Sequence, residues 1–423
     1  ADNGGFATGP GIFRSANALE TKIDQARFIL NYDAGDHFLK FGAELNDLEV
    51  FNLFAINATG TLFFDGLADF EAGLLANGTG GDFDGPDEII ERGAGGGTIR
   101  TGIDGDINNA AAEFSRRVWS VFAQDEWQAT DQLTVNAGVR VQMYDGDAPR
   151  ANPLFFDRLG FTNRVSFGSI DPVVLPRLSA TYEFDNDGLF SNSRLTGGVG
   201  VFAGGDPVVF FSNAFSNDGF ASVNGNTGDC DASDLNIDPA TGQISVLSGG
   251  QFTGFPQCAI AAGAASAAAG GGEVQNIDPD FDIPTAVRAN IGLATDFGTE
   301  SGFFSNWRLN LDYIYTRFND TLAIRDLLQV TDTRQALDGF TVDGRPIIAA
   351  IDPLATGCNA TFVDNAPTYT GVTDECFATG LDEFLQLTNG PSFSSHNASL
   401  ILTKRFSEGL FTQNGSVNVN FGY

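Results

Sequence analysis

Between Leu133 and Tyr144 apolar and polar residues alternate without a break. Leu133, Val135, Ala137, Val139, Val141 and Met143 fall on one face, and Thr134, Asn136, Gly138, Arg140, Gln142 and Tyr144 on the other. Period two is the pattern of a strand with one apolar and one polar face. The run is longer than the usual globular strand of about 5–6 residues, and long enough for the roughly 9–11 residues that a tilted strand needs to cross hydrocarbon. Membranes admit only helices or closed barrels, because every backbone polar group in lipid must be satisfied internally. The alternation therefore predicts an antiparallel transmembrane β-barrel.

The same unit recurs. Hairpins are predicted at 21–46, 113–145, 176–204, 284–317 and 396–423, about ten strands in all. Their turns are Asp33-Ala34-Gly35, Ala129-Thr130-Asp131, Asp185-Asn186-Asp187-Gly188, Gly298 to Gly302 and Ser407-Glu408-Gly409. Between the hairpins lie long segments at 47–112, 146–175, 205–283 and 318–395. Short turns at one end and long loops at the other are the asymmetry of outer-membrane barrels, with the long loops extracellular. A soluble sandwich would show turn signals every 8–12 residues or so instead.

Composition agrees. Mean hydropathy is near zero and no apolar run reaches the roughly 18 residues of a membrane helix, so helical spans are excluded. Phenylalanine outnumbers tyrosine 39 to 7. Aromatics gather toward strand ends, as with Trp119 and Trp127, Phe303, Phe304 and Trp307, and Phe421 and Tyr423, which fits interfacial girdles. The chain begins at Ala1 without a signal peptide, and the length of its loops relative to ten strands reads as a piece of a larger protein.

Several segments are familiar as words. His37 to Glu44 (HFLKFGAE), Phe122 to Trp127 (FAQDEW), Leu133 to Arg140 (LTVNAGVR), Leu175 to Ser179 (LPRLS) and Asp278 to Pro284 (DPDFDIP) resemble the barrel of TonB-dependent outer-membrane receptors, most of all the Oar-like branch. The resemblance covers the strands and not the loops. It implies a 22-stranded barrel, a plug domain inside it, and a TonB box coupling it to the inner membrane. Neither plug nor TonB box is recognisable in this sequence. By resemblance, the partners are outer-membrane lipid and lipopolysaccharide (LPS), the TonB complex through a plug, and a small ligand or peptide.

The charge is −32, from 54 acidic and 22 basic residues. Such a surface repels nucleic acid and favours cationic or metal-bearing ligands. Much of the excess sits in the loops, at Asp82, Asp84, Asp87, Glu88 and Glu91 and at Asp229, Asp231, Asp234 and Asp238. Asp229, Asp231 and Asp234 alternate as in calcium loops, as do Asp278, Asp280 and Asp282, while Asp104-Gly105-Asp106 opens like one. All lack the glycine and the closing glutamate of an EF-hand, so calcium is a candidate structural ion, with solvated loop surface as the plainer reading. No cofactor is expected otherwise. Four cysteines, Cys230, Cys258, Cys358 and Cys376, sit two in each of the last two long loops, with spacings unlike zinc ligands. Disulfides within each loop are expected.

Nothing suggests catalysis. The two histidines, His37 and His396, stand apart, and no G-x-S-x-G or H-E-x-x-H occurs. The polar strand faces supply the candidate lumen and ligand residues: Arg140 and Gln142, Arg288 and Asn290, and Arg308, Asn310 and Asp312. Three functions stay open: an energised TonB-dependent receptor, a passive porin or surface-structural barrel, and a secreted β-rich adhesin.

Overall fold

The computed structural model describes residues 7–9, 11–76, 96–186, 188–204, 207–221, 223–299, 302–363, 368–377, 383–406 and 415–423. Asp82, Asp84, Asp87, Glu88 and Glu91, and parts of the turns at 187, 300–301 and 407–409, lie outside them. Ten strands form one sheet: β1 (Ala16–Ala34), β2 (His37–Ala55), β3 (Ala112–Gln128), β4 (Leu133–Gly146), β5 (Val173–Glu183), β6 (Phe190–Ala203), β7 (Thr285–Phe297), β8 (Trp307–Asn319), β9 (Phe393–Phe406) and β10 (Val417–Gly422). Each pairs antiparallel with its neighbour in sequence, so the sheet is an all-antiparallel meander with β1 and β10 at its edges. At the β1–β2 turn Ala34 pairs with His37, and Gly35 sits at φ 69°, where a side chain would be strained.

The register carries the stagger of a barrel wall. Paired residues run in one row from His37 through Trp127, Val135, Ala180, Gly197, Ile291 and Tyr313 to Ala398. The row starts at the first residue of β2 and ends well inside β9, which continues to Phe406. The turns therefore step along the sheet by about one residue per strand. With a rise of about 3.3 Å and a strand spacing of about 4.8 Å, that is a tilt of roughly 35–40°.

One face is an apolar band. Phe28 on β1, Val139 on β4, Leu178 on β5, Val199 on β6 and Ile291 on β7 all lie on it, and all are exposed. An exposed apolar face of this extent suits lipid rather than water. From Leu133 to Met143 the band is about 25 Å tall after allowing for tilt, the height expected of an outer-membrane barrel. Aromatics mark its base: His37 stacks on Trp127 at 5.5 Å, Phe297 on Trp307 at 6.2 Å. The Lys404 ammonium reaches down among the rings of Phe303, Trp307 and Phe406 to the Ser305 carbonyl. Above the band a charged row, Asp24, Asp47, Arg117 and Asp145, crosses four strands in register.

That row explains a difference from the sequence reading. β1 and β2 run 19 residues each, well beyond the predicted 21–32 and 36–46, so the first long loop starts after Ala55 rather than at 47. Above the membrane the outward positions turn polar: Lys22 pairs with Glu49 at 3.3 Å and Arg117 with Asp47 at 2.9 Å. There the apolar side of β2 switches to the inner face, where Leu48 and Val50 are buried, so the period-two pattern breaks phase although the ladder continues.

The long loops are folded. They contain helices α1 (Leu67–Ala72), α2 (Pro153–Leu159), α3 (Val208–Ser216) and α4 (Gln257–Ala268) and several short strands. Strands from the first and third loops pair at Thr98–Thr101 and Val223–Asn226, and strands from the third and fourth pair at Asn276–Ile277 and Gln386–Leu387. α4 is built mostly of alanine. It lies so close on the first of these sheets that a Cβ on Gly225 would come 2.0 Å from the Ala259 carbonyl oxygen.

Candidate functional site

Strand parity and register put Arg140, Gln142, Arg288, Asn290, Arg308, Asn310 and Asp312 on the face opposite the apolar band. They do not form one pocket. Arg140 and Gln142 belong to a cleft of about 530 Å³ that Arg27, Glu44, Arg116 and Tyr144 also line; the residues of β7 and β8 stand apart from it. Glu44 sits between two arginines, 2.8 Å from Arg27 and 2.6 Å from Arg140, and Arg140 also donates to the Ser120 hydroxyl at 2.8 Å. Next to them Gly42 has no side chain because the Phe122 ring fills the space: a Cβ there would lie 2.2 Å from the ring. Arg308 is matched by Asp296 at 3.8 Å.

The inner face has a charge opposite to that of the whole chain. Register places nine basic side chains on it (Arg27, Lys40, Arg116, Arg140, Arg177, Arg194, Arg288, Arg308, Arg405) against six acidic ones (Asp33, Glu44, Glu126, Glu183, Asp296, Asp312). The net charge of −32 is therefore carried elsewhere. Sequence reading missed Arg177 and Glu44, although each alternates with apolar residues in its own strand.

The loops close over this face from the outer side. Phe211 and Ala214 of α3 share a core with Leu48, Val50 and Phe114, the upper inner-face residues of β2 and β3. Asn52 donates to the Ser212 hydroxyl at 3.0 Å. A second core joins three loops: Phe155 and Leu159 of α2, Val274 of the third loop, and Leu327, Leu328 and Phe384 of the fourth. Asn152 is the main polar tie. Its side chain caps α2 by accepting from the Phe155 amide, and it donates to the carbonyls of Asp218 and Gly270 in the third loop. The cap is stapled by the disulfides Cys230–Cys258 and Cys358–Cys376.

The carboxylate runs meet protein partners. Asp229 accepts from the Asn226 amide, while Asp231 and Asp234 are exposed. Asp278 accepts from Arg325 at 3.2 Å and Thr388 at 2.7 Å, and Asp106 from the amide and side chain of Asn108. Among the described residues no three His, Cys, Asp or Glu side chains are grouped as a metal would need. Both histidines are on the outward face: His37 bonds Asp125 at 2.8 Å and His396 bonds the Tyr313 hydroxyl at 2.7 Å.

One cap carboxylate is tuned. Asp332 receives Arg334 at 2.7 Å and Gln335 at 3.0 Å, and the Arg334 hydrogen bonds hold its carboxyl far below the usual carboxylate range. Arg334 in turn lies over the Phe377 ring at 3.6 Å. A depressed folded-state pKa gives stability that is present above the unfolded value of about 3.9 and lost as pH falls through the folded one. The protection of residues 326–351 against hydrogen exchange, relative to the intrinsic rate at each pH, is thus expected to be flat from pH 7 to 5 and to fall below about pH 4. Asp332→Asn should remove that acid dependence; an unchanged profile would show that the pair does not hold the segment.

An outer membrane beta barrel domain model matches residues 4–415. No curated protein matches the chain. Among solved structures, the siderophore receptor PirA of Pseudomonas aeruginosa is similar at 10% identity and a TM-score of 0.39, over 96% of this chain and 42% of that one. The outer membrane transporter YddB of Escherichia coli is similar at 11% identity and 0.41, over 92% and 31%, and the FrpB iron transporter of Neisseria meningitidis at 9% and 0.38, over 96% and 36%. The chain thus spans less than half the length of each.

Proposed function

We propose that this chain, which belongs to the outer membrane beta barrel domain family, is wall and mouth of a TonB-dependent receptor that takes up a ligand across the outer membrane. The observation that carries the reading is the cap. Long ordered loops usually serve function, and here loops of separate hairpins share cores, two of them carry an internal disulfide, and one packs a helix onto the inner face. A passive pore gains nothing from a roofed mouth, whereas a receptor needs a fixed surface to recognise a ligand before admitting it. The motifs FAQDEW and LTVNAGVR support the TonB-dependent assignment and its Oar-like branch by resemblance. Calcium at Asp229, Asp231 and Asp234 stays a secondary proposal.

The test is uptake of, or growth on, candidate ligands by cells with and without a working TonB. Import is expected to stop without TonB. Import that continues undiminished would leave a passive channel as the better reading.

A further inference from the structure

We propose that Arg177 and Arg288, with the Phe202 ring between them, form a cradle on the inner wall for a carboxylate or phosphate group; this rests on the inner face lining the path of a ligand. Both arginines stand directly across from Gly200, one on each neighbouring strand. Their guanidinium carbons lie 4.5 and 5.9 Å from the centroid of the Phe202 ring. A guanidinium over a ring keeps its N–H edges free, and those edges match two oxygens of a planar or tetrahedral anion.

Two features mark this pair. Arg27 and Arg140 share Glu44, and Arg308 has Asp296, but neither Arg177 nor Arg288 has a carboxylate partner among the described residues. The strand beneath them carries glycine at 200, and the Phe202 ring and the Arg177 stem fill the space over it. A Cβ on Gly200 would come 3.1 Å from the Arg177 Cγ and 3.2 Å from the Phe202 ring, and a Cβ on neighbouring Gly198 would come 3.0 Å from the Leu178 carbonyl oxygen. Glycine at 200 thus lets the ring and both arginines come together. Two like charges on one ring repel each other, and an anion bridging their free N–H edges removes that cost.

The acidic exterior narrows the ligand. A free polyanion is repelled at long range by a chain of charge −32. The anionic group that reaches the cradle therefore belongs to a solute whose remaining charge is balanced, such as a peptide or a metal chelate. An acidic side chain of a polypeptide segment lying in the lumen would present the same chemistry.

Phenylglyoxal footprinting of the full-length protein in detergent, read by mass spectrometry, tests the cradle. Exposed Arg164 is the reference. If a solute fills the cradle, Arg177 and Arg288 react in plain buffer, and millimolar citrate or inorganic phosphate slows both saturably, on the order of fivefold, while Arg164 is unchanged. Phe202→Leu then weakens that protection by roughly threefold. If a lumen segment fills it, both arginines are slow before any anion is added, and Arg177→Gln with Arg288→Gln exposes a new carbodiimide-reactive carboxylate. Reaction at the Arg164 rate, unaffected by either anion, overturns the proposal. The measurement needs neither TonB nor transport, so it stands or falls separately from the uptake test.

Discussion

Replacing Val139 by arginine should cost the folded protein about 2–4 kcal/mol in lipid bilayers, as charges at the middle of a barrel's lipid face do. Val139 is exposed on the apolar band, between Leu133 at the base and Met143 near the top of β4. Arginine there must bring its charge into hydrocarbon or bend toward an interface. The adjacent change, Arg140→Val, acts on the other face. It removes the bonds to Glu44 and Ser120, but Glu44 keeps Arg27, and the site is wet. Its expected cost is about 1 kcal/mol or less. Denaturant titration in vesicles gives both values. Equal costs would mean that the strand does not separate lipid from water.

The second large effect is local. Cys358 and Cys376 close a loop with a sequence separation of 18, which the chain-entropy model values at roughly 3 kcal/mol. Cys376 is fully buried, so a serine there would also bury a hydroxyl in place of the bridge. The double serine variant should lose hydrogen-exchange protection and gain protease sensitivity across 352–377, while β1 to β9 keep theirs. Wild-type protection in the variant would show the bridge to be redundant with the surrounding packing.

Both experiments probe what the sequence made legible and what it hid. β4 could be read residue by residue because lipid and water impose opposite demands on its two faces. The upper half of β2 could not, since there the polar side chains Asp47 and Glu49 face out while Leu48 and Val50 turn inward under the cap, which breaks the phase of the alternation. The cap left no periodic trace. Its cores join residues far apart in the chain, as Phe155 joins Phe384 and Asn152 joins Gly270, and no local window contains both partners. The sequence of α4 is ambiguous for a related reason: its alanines and Gly263 fit a neighbouring sheet, and composition alone gives similar letters to a flexible span.

The candidate site divides in the same way. Parity within a strand found Arg140, Arg288 and Arg308. Their partners depend on which strand lies alongside and in what register, which is set by turns and stagger, so Glu44 beside Arg140 and Phe202 between two arginines emerged only in the folded sheet. Averaging over the chain also concealed the basic wall; sorting charges by strand parity would have exposed it.

The shared cores of the cap also constrain how the outer surface can diverge under antibody or phage pressure. A substitution at Phe155 or Leu328 disturbs more than one loop at once, so single-loop replacement is barred at such positions. Tolerated drift should concentrate where the chain turns back on itself in solvent, as at Thr341 to Arg345, where Val342 is 97% exposed and the turn closes on hydrogen bonds among Thr341, Asp343 and Arg345. Antibodies raised against reduced protein would then recognise such tips and fail on the interlaced remainder.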